Sequence, residues 1–270
     1  MSTTTPQKKS AVESPEQIER RRIVEQFLLF QESLPKVDAL SYQWLLNEMV
    51  PMSMAVENNL NQLDEYSSLS SQSVEPGSQD LNEEFSELSL NKFEYTPSHK
   101  LIAQLHNAND DQKDKSNERL FKIGSGIGSK MTELLIFSNN PNLSFNSMDA
   151  LGMVRFICKE VWKQLYGKQI DNLKTNHRGV FYLFDYEFQP IQNFALDDDE
   201  KVLLDVVAPY IQVPLGVISG ILTSLGVPED DLSISFTYVD IPEDRRKPLG
   251  QFPKGVNFNI QINQLQNSQD

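Results

Sequence analysis

The sequence predicts an α+β fold, a four-stranded antiparallel sheet packed on one side by long α-helices. Three observations predict it. Helical apolar spacings come first in the chain, two-residue alternation comes mostly later, and the alternating runs are paired through hairpins.

Residues 1–16 are polar, show no sustained apolar period and read as a disordered arm. From Ile18, the run IERRRIVEQFLLFQESLP places Ile23, Phe27 and Phe30 at helical intervals, and this helix is expected to stop before Pro35. The next run, VDALSYQWLLNEMVPMSMAVENNL, keeps helical character across Pro51, which should kink or divide it. In it Tyr42, Leu45, Met49 and Val56 make one apolar stripe, while Leu46, Val50 and Met54 continue round the helix. That is wider than one core-facing side requires, so the surplus calls for cover by another chain. At residues 61–95 the composition turns to serine and acid around a Pro-Gly pair, too little apolar surface to offset the entropy of ordering. This stretch reads as a mobile insertion, within which Leu81, Phe85 and Leu88 could form a short docking helix.

SHKLIAQLHNA is a short helix, and after a charged break SNERLFKIGSGIGSKMTELLIFS follows. Its glycines suggest a phosphate loop, but GxxxxGK[ST] needs lysine directly after the last glycine, and Ser129 separates Gly128 from Lys130. The dinucleotide pattern GxGxxG needs a strand before it, and DDQKDKSNERL is not one. Leu120, Ile123, Ile127, Met131, Leu134 and Leu135 instead mark one helix face running through the glycines. Gly124 and Gly128, four apart, then form a notch for close helix packing, and Gly216 and Gly220 in PLGVISGILTSLG repeat the spacing on a helix that could cross there. A nucleotide switch built on this stretch is the reading that the spacing disfavours.

The run NSMDALGMVRFICKEVWKQLYG is helical, with Ser147 as cap, Leu151, Val154, Ile157, Val161 and Leu165 as the buried stripe, and Gly167 as the stop. Arg155, Lys159 and Lys163 stand four apart on another face, a candidate contact for anionic lipid or an acidic partner against the alternative of a solvated face. QIDNLKTNHRGVFYLFDYEF is a hairpin turning near residues 176–179; DLSISFTYV and VNFNIQI are two further strands. Residues 17–262 therefore form one domain interrupted by the insertion, and 263–270 a polar tail.

Composition narrows the chemistry. The net charge of −14 disfavours binding along a nucleic-acid backbone; residues 60–96 supply eight acids against Lys92 alone. Cys158 is the only cysteine, and His99, His106 and His177 are not grouped, so neither a disulfide nor a metal site is expected, and no cofactor. No run of about 18 apolar residues is evident, and MSTTTPQKKS lacks the apolar segment of a secretory signal, so a cytosolic protein is expected.

ELLIFSNNPNLSF, FICKEVWKQLYGKQIDNLKTNHRGVFYLFD, FPKGVNFNIQI and SLPKVDALSYQWLLNEMVPM closely resemble the small core subunits of fungal TRAPP, the transport protein particle, over about residues 27–60 and 97–262. The resemblance implies a twisted four-stranded sheet with long helices on one face. It also implies a non-catalytic assembly subunit of a Rab exchange and tethering complex in early secretory and Golgi traffic, paired with a homologous small subunit through helical faces. Rab contact would come only through the whole complex. The sibling subunit carries an acylated cysteine where Ser147 stands here, and a hydroxyl cannot form that thioester, so the lipid-filled tunnel is not carried over. Carriage of a small apolar ligand is the alternative.

Overall fold

The computed structural model describes residues 14–33, 37–70, 96–137, 148–194, 199–245 and 252–263. Helix α1 spans Pro15–Ser33 and α2 Ala39–Ser70, with Pro51 inside it. Pro51 does not divide α2, which runs on to Ser70, ten residues into the stretch read as an insertion. Leu63, Tyr66 and Leu69 keep a three-residue spacing there, enough to extend the helix. The rest of the expected insertion, with Leu81, Phe85 and Leu88 and their alternative reading as a docking helix, lies outside the described residues, as do Ser147, most of the arm and most of the tail.

Helix α3 is Ser98–Asn107 and α4 Asp110–Phe137. The charged break is thus α4's own first turns: Asp110 and Asp111 sit where the positive end of the helix dipole favours them. Helix α5 consists of Ala150–Phe156, a π turn at Ile157–Val161, and Trp162–Tyr166. Its cap is Asp149, which accepts from the Gly152 N–H, and Gly167, at φ 70°, stops it. A π turn displaces one backbone carbonyl from the usual ladder. The Cys158 carbonyl accepts at 3.0 Å from the N–H of Ile170, beyond the helix end.

The sheet contains β1 (Asn172–Thr175), β2 (Val180–Asp185), β3 (Leu232–Asp240) and β4 (Lys254–Ile262), in the order β1-β2-β4-β3 with every pair antiparallel. Between β2 and β3 lie α6 (Glu200–Val207), which the sequence reading missed, and α7 (Gln212–Ser224), joined by one 3₁₀ turn. The run Glu200–Ser224 is long and apolar enough to cross a membrane by length and composition, which the sequence reading also overlooked. In the fold it is a core helix: Val213 through Leu222 are all buried.

Burial alternates along the sheet, with Phe181, Leu183 and Asp185 of β2 and Val256, Phe258, Ile260 and Ile262 of β4 facing the helices. Trp162, fully buried, meets Tyr166 at 4.8 Å and Phe258 at 5.1 Å between ring centroids, which fixes α5 on the sheet. The anticipated glycine crossing of α4 and α7 is present. A Cβ on Gly124 would lie 2.1 Å from the Val213 carbonyl oxygen, and one on Gly220 2.0 Å from that of Ser125. The glycine spacing of α4 and α7 thus serves a backbone-to-backbone contact.

Candidate interaction surfaces

Helix α2 has two faces. Val50 and Met54 are buried in the core, with Leu46 and Met49 half-buried against it. These four were expected among the partner-facing residues Tyr42, Leu45, Leu46, Met49, Val50 and Met54; for Val50 and Met54 the expectation is corrected, since neither offers surface. The error has a physical cause: the inward face also carries Ser53 and Glu57, polar residues that hide it from a hydrophobic reading. Ser53 Oγ and Ser116 Oγ are 2.7 Å apart, and Arg119 donates both to the Ser53 carbonyl at 2.9 Å and to Glu57 Oε2 at 3.0 Å. Ser53, Glu57, Ser116 and Arg119 thus satisfy one another across the α2–α4 contact, whereas the buried Oδ1 atoms of Asn47 on α2 and Asn117 on α4 accept no hydrogen bond.

The outward face is apolar instead. Leu40, Trp44, Leu45, Met52, Val56 and Leu60 are all exposed, Trp44 to 64% of its surface. Leu40, Trp44, Met52, Val56 and Leu60 follow at intervals of four and eight residues, with Leu45 beside Trp44, along some five turns of helix. Of the predicted set only Leu45 belongs to this face. Tyr42 is half-buried at its margin, and burial pushes its phenol up to about 12. Helix α1 adds Ile18, Val24, Leu28 and Leu29, also exposed, while Ile23, Phe27 and Phe30 are half-buried. Trp44 and Met52 could have been found by asking which apolar positions fall away from the Ser53–Glu57 side.

Arg155, Lys159 and Lys163 all stand exposed on α5, as their spacing predicts. Lys163 also borders a groove of about 760 Å³ between α1, the start of α2, the end of α4 and α5, lined by Leu28, Tyr42, Leu46, Met131, Leu135 and Leu165 among others.

Beneath α5 lies a polar cluster the sequence did not announce. Asp185 is fully buried and accepts from Trp162 Nε1 at 2.8 Å, from Lys168 Nζ at 2.5 Å and from the Glu187 N–H at 3.0 Å. Asp171 accepts from Lys168 at 2.9 Å, from the Tyr186 N–H at 2.8 Å and from Arg245 at 2.7 Å. Burial opposes the charge on Lys168, but the two carboxylates outweigh it and hold its pKa above the ordinary lysine value. Burial likewise works to raise Asp171, yet its donors hold that carboxyl below the usual range. The cluster clamps the end of α5, the hairpin and the segment before β4 together, and it contains neither a nucleophile nor a histidine. Burial pushes the Cys158 thiol up to about 12, which leaves it a protonated, inert core group. Among the described residues no group of His, Cys, Asp or Glu could hold a metal ion.

The chain is similar to known proteins over this same domain. It is 32% identical over 139 residues to an uncharacterized protein of Schizosaccharomyces pombe, covering 47% of this chain and 52% of that one. It is 32% identical to the human trafficking protein particle complex subunit 6B and 30% identical to subunit 6b of Danio rerio, each over 107 residues, 40% of this chain and 60% of the relative. The chain thus matches between half and three fifths of the length of these relatives. A solved structure of trafficking protein particle complex subunit 3 from Naegleria fowleri, covalently bound to palmitic acid, aligns with 61% of this chain and 89% of its own at 17% identity and a TM-score of 0.41. Residues 42–263 match the family described as Transport protein particle (TRAPP) component, from the first turn of α2 to the end of β4, and the chain belongs to that family.

Proposed function

We propose that this chain is a non-catalytic assembly subunit of a TRAPP complex, corresponding to the thirty-three-kilodalton small core subunit, and that it pairs with a homologous small subunit. The observation that carries this reading is the exposed apolar face of α2. Leu40, Trp44, Leu45, Met52, Val56 and Leu60 form a strip too long and too apolar to leave in water. A partner that covers it in a lasting contact would bury on the order of 1,600 Å² or more. In this reading the complex, not the subunit, exchanges nucleotide on a Rab GTPase and tethers vesicles between the endoplasmic reticulum and Golgi. The subunit is cytoplasmic and reaches Golgi and early secretory membranes peripherally, with Arg155, Lys159 and Lys163 as the candidate contact to anionic lipid or an acidic neighbour.

The test is co-expression with a homologous small subunit followed by gel filtration. Trp44→Asp combined with Met52→Asp is expected to leave a folded monomer, because both side chains are exposed, and to abolish co-elution. A folded double variant that still elutes with the partner would place the interface elsewhere. Carriage of a small apolar ligand is the second reading, favoured by the groove of about 760 Å³. Mass spectrometry of an organic extract of the purified protein tests it.

A further inference from the structure

The two edges of the sheet are guarded unequally. Strand β1 is four residues long and carries Lys174, a short and charged edge of the kind that resists further pairing. Strand β3 is nine residues long, LSISFTYVD, with no Gly, Pro, Lys or Arg in it and no charge before Asp240. Its register with β4 runs unbroken from Leu232–Ile262 to Asp240–Lys254, so no bulge turns this edge away.

The hydrogen-bond pattern fixes which groups the edge offers. The Ile262 N–H donates to the Gly179 carbonyl, so Ile262, Ile260, Phe258 and Val256 turn their backbone groups toward β2, and the residues between them turn theirs toward β3. On β3 the residues that answer are Ser233, Ser235, Thr237 and Val239, which leaves the N–H and C=O of Ile234, Phe236 and Tyr238 pointing away from the sheet. Among the described residues no backbone group bonds to them. Leu232, Ile234, Phe236 and Tyr238 are half-buried on the helix-facing side, whereas Ser233, Ser235 and Thr237 stand exposed on the other. The edge therefore fits an extended chain whose residues alternate apolar on the inner side and polar on the outer.

Charge selects the kind of chain. Glu229, Asp230 and Asp231 form the 3₁₀ turn that runs directly into β3, and among the described residues they make no ion pair. A second copy has nothing to set against them. Antiparallel pairing would bring these acids to residues 240–247, where Asp240, Glu243 and Asp244 cancel Arg245, Arg246 and Lys247, and parallel pairing would bring them to their own equivalents. Each copy also carries a net charge of −14. We infer that the β3 edge takes up an extended segment of a partner protein, antiparallel to β3, in which alternating apolar residues are followed by Lys or Arg beside Glu229–Asp231. The span from Leu232 to Tyr238 is about 20 Å, so a run of about seven residues fills it. The contact does not use the α2 face, and it stands whether or not that face pairs with a homologous subunit.

Amide hydrogen exchange of the full-length chain, read residue by residue by nuclear magnetic resonance, tests this. The probe is a synthetic peptide of alternating valine and threonine, about seven residues long, ending in a pair of lysines. In the chain alone the amides of Ile234, Phe236 and Tyr238 are expected to exchange freely, while those of Ser235 and Thr237, bonded to β4, are protected. The peptide should slow the first three by at least about tenfold. A version ending in glutamates should bind at least about fivefold more weakly at low salt, and Glu229→Lys with Asp230→Lys, both exposed positions, should reverse that preference. N-methylation of one alternate set of peptide amides should abolish the protection and of the other set should leave most of it, which apolar adhesion alone would not do. Three results would overturn the inference: equal effects of the two methylated forms, equal binding of the lysine and glutamate forms, or protection of the three amides before peptide is added. In the last case light scattering separates a second copy, seen as a dimer, from the chain's own remaining segments.

Discussion

Replacing a glycine of α7 at the α4–α7 crossing by alanine should destabilise the protein, and replacing one of α4 that points away from the crossing should do the reverse. At Gly220 a Cβ would stand 2.0 Å from the Ser125 carbonyl oxygen, 2.7 Å from its carbonyl carbon and 2.9 Å from its Cα. All three are backbone atoms of a packed helix, so no side chain can rotate away; α4 and α7 would have to separate by about 1 Å to restore contact distance. Overpacking of this kind costs typically 1–3 kcal/mol and more where the obstacle is rigid. Alanine returns only about 1 kcal/mol of helix propensity, so the net loss for Gly220→Ala should be about 2 kcal/mol or more. Gly126 provides the control: it lies in α4 between Gly124 and Gly128, yet nothing stands within 4 Å of its Cβ position. Gly126→Ala should therefore stabilise by about 0.5–1 kcal/mol. Urea and thermal unfolding followed by circular dichroism would read the pair as a Tm lowered by roughly 4–8 °C against one raised by about 2–4 °C. A Gly220→Ala variant as stable as the parent, or equal losses at both positions, would refute the argument that the glycines act by close approach.

Three further outcomes are expected. In α2, Val50→Asp should prevent folding while Leu45→Asp should not, because Val50 is buried and Leu45 exposed; solubility and far-ultraviolet circular dichroism of the two variants check this. Asp185→Ala should destabilise by about 2–3 kcal/mol, since it leaves the buried Trp162 indole N–H without its acceptor and takes from Lys168 one of its two carboxylates, Asp171 remaining; chemical denaturation measures it, and a loss under about 1 kcal/mol would show that the cluster is slack. Stability should fall from about pH 10 upward. Burial raises Tyr42 and Tyr210 from 10.0 to about 12 and Cys158 from 9.0 to about 12, so the unfolded chain releases these protons first and the stabilisation present below that range is lost as pH climbs toward 12. Tyr42→Phe with Tyr210→Phe should shallow the decline in urea midpoint, and a parent curve that stays flat to pH 12 would contradict it.

The fold was legible where one physical signal dominated. Alternation in β2 and β4 is clear because one sheet face is buried and the other is not, and the glycine spacing of α4 and α7 is clear because propensity alone disfavours it. Legibility failed where polarity and burial part company. Ser53, Glu57 and Asp185 point inward on the strength of partners 17 to 66 residues away in sequence, and no local pattern encodes a distant donor. The same cause misassigned the α2 interface, since a face interrupted by serine and glutamate reads as solvent. Helix α6 went unread; Pro209 lies just beyond it, yet the chain passes through one 3₁₀ turn and remains helical. The basic positions on α5 required only correct spacing, and the structure leaves them exposed as read.

The π turn at Ile157–Val161 constrains how this sequence can change length. Such a turn holds one residue more than a regular turn, so the chain behaves as though a single residue had been inserted into α5 and kept. Loss of one residue there would let the helix relax to regular winding and leave Trp162, Lys163 and Tyr166 on the faces they hold now, because the missing residue and the tighter turn cancel in phase. The cost would fall on the Cys158 carbonyl, which would return to the helix and release the Ile170 N–H. In descent, this segment should therefore tolerate the loss of one residue at the turn better than a further insertion, and the tie to Ile170 is what such a loss would forfeit.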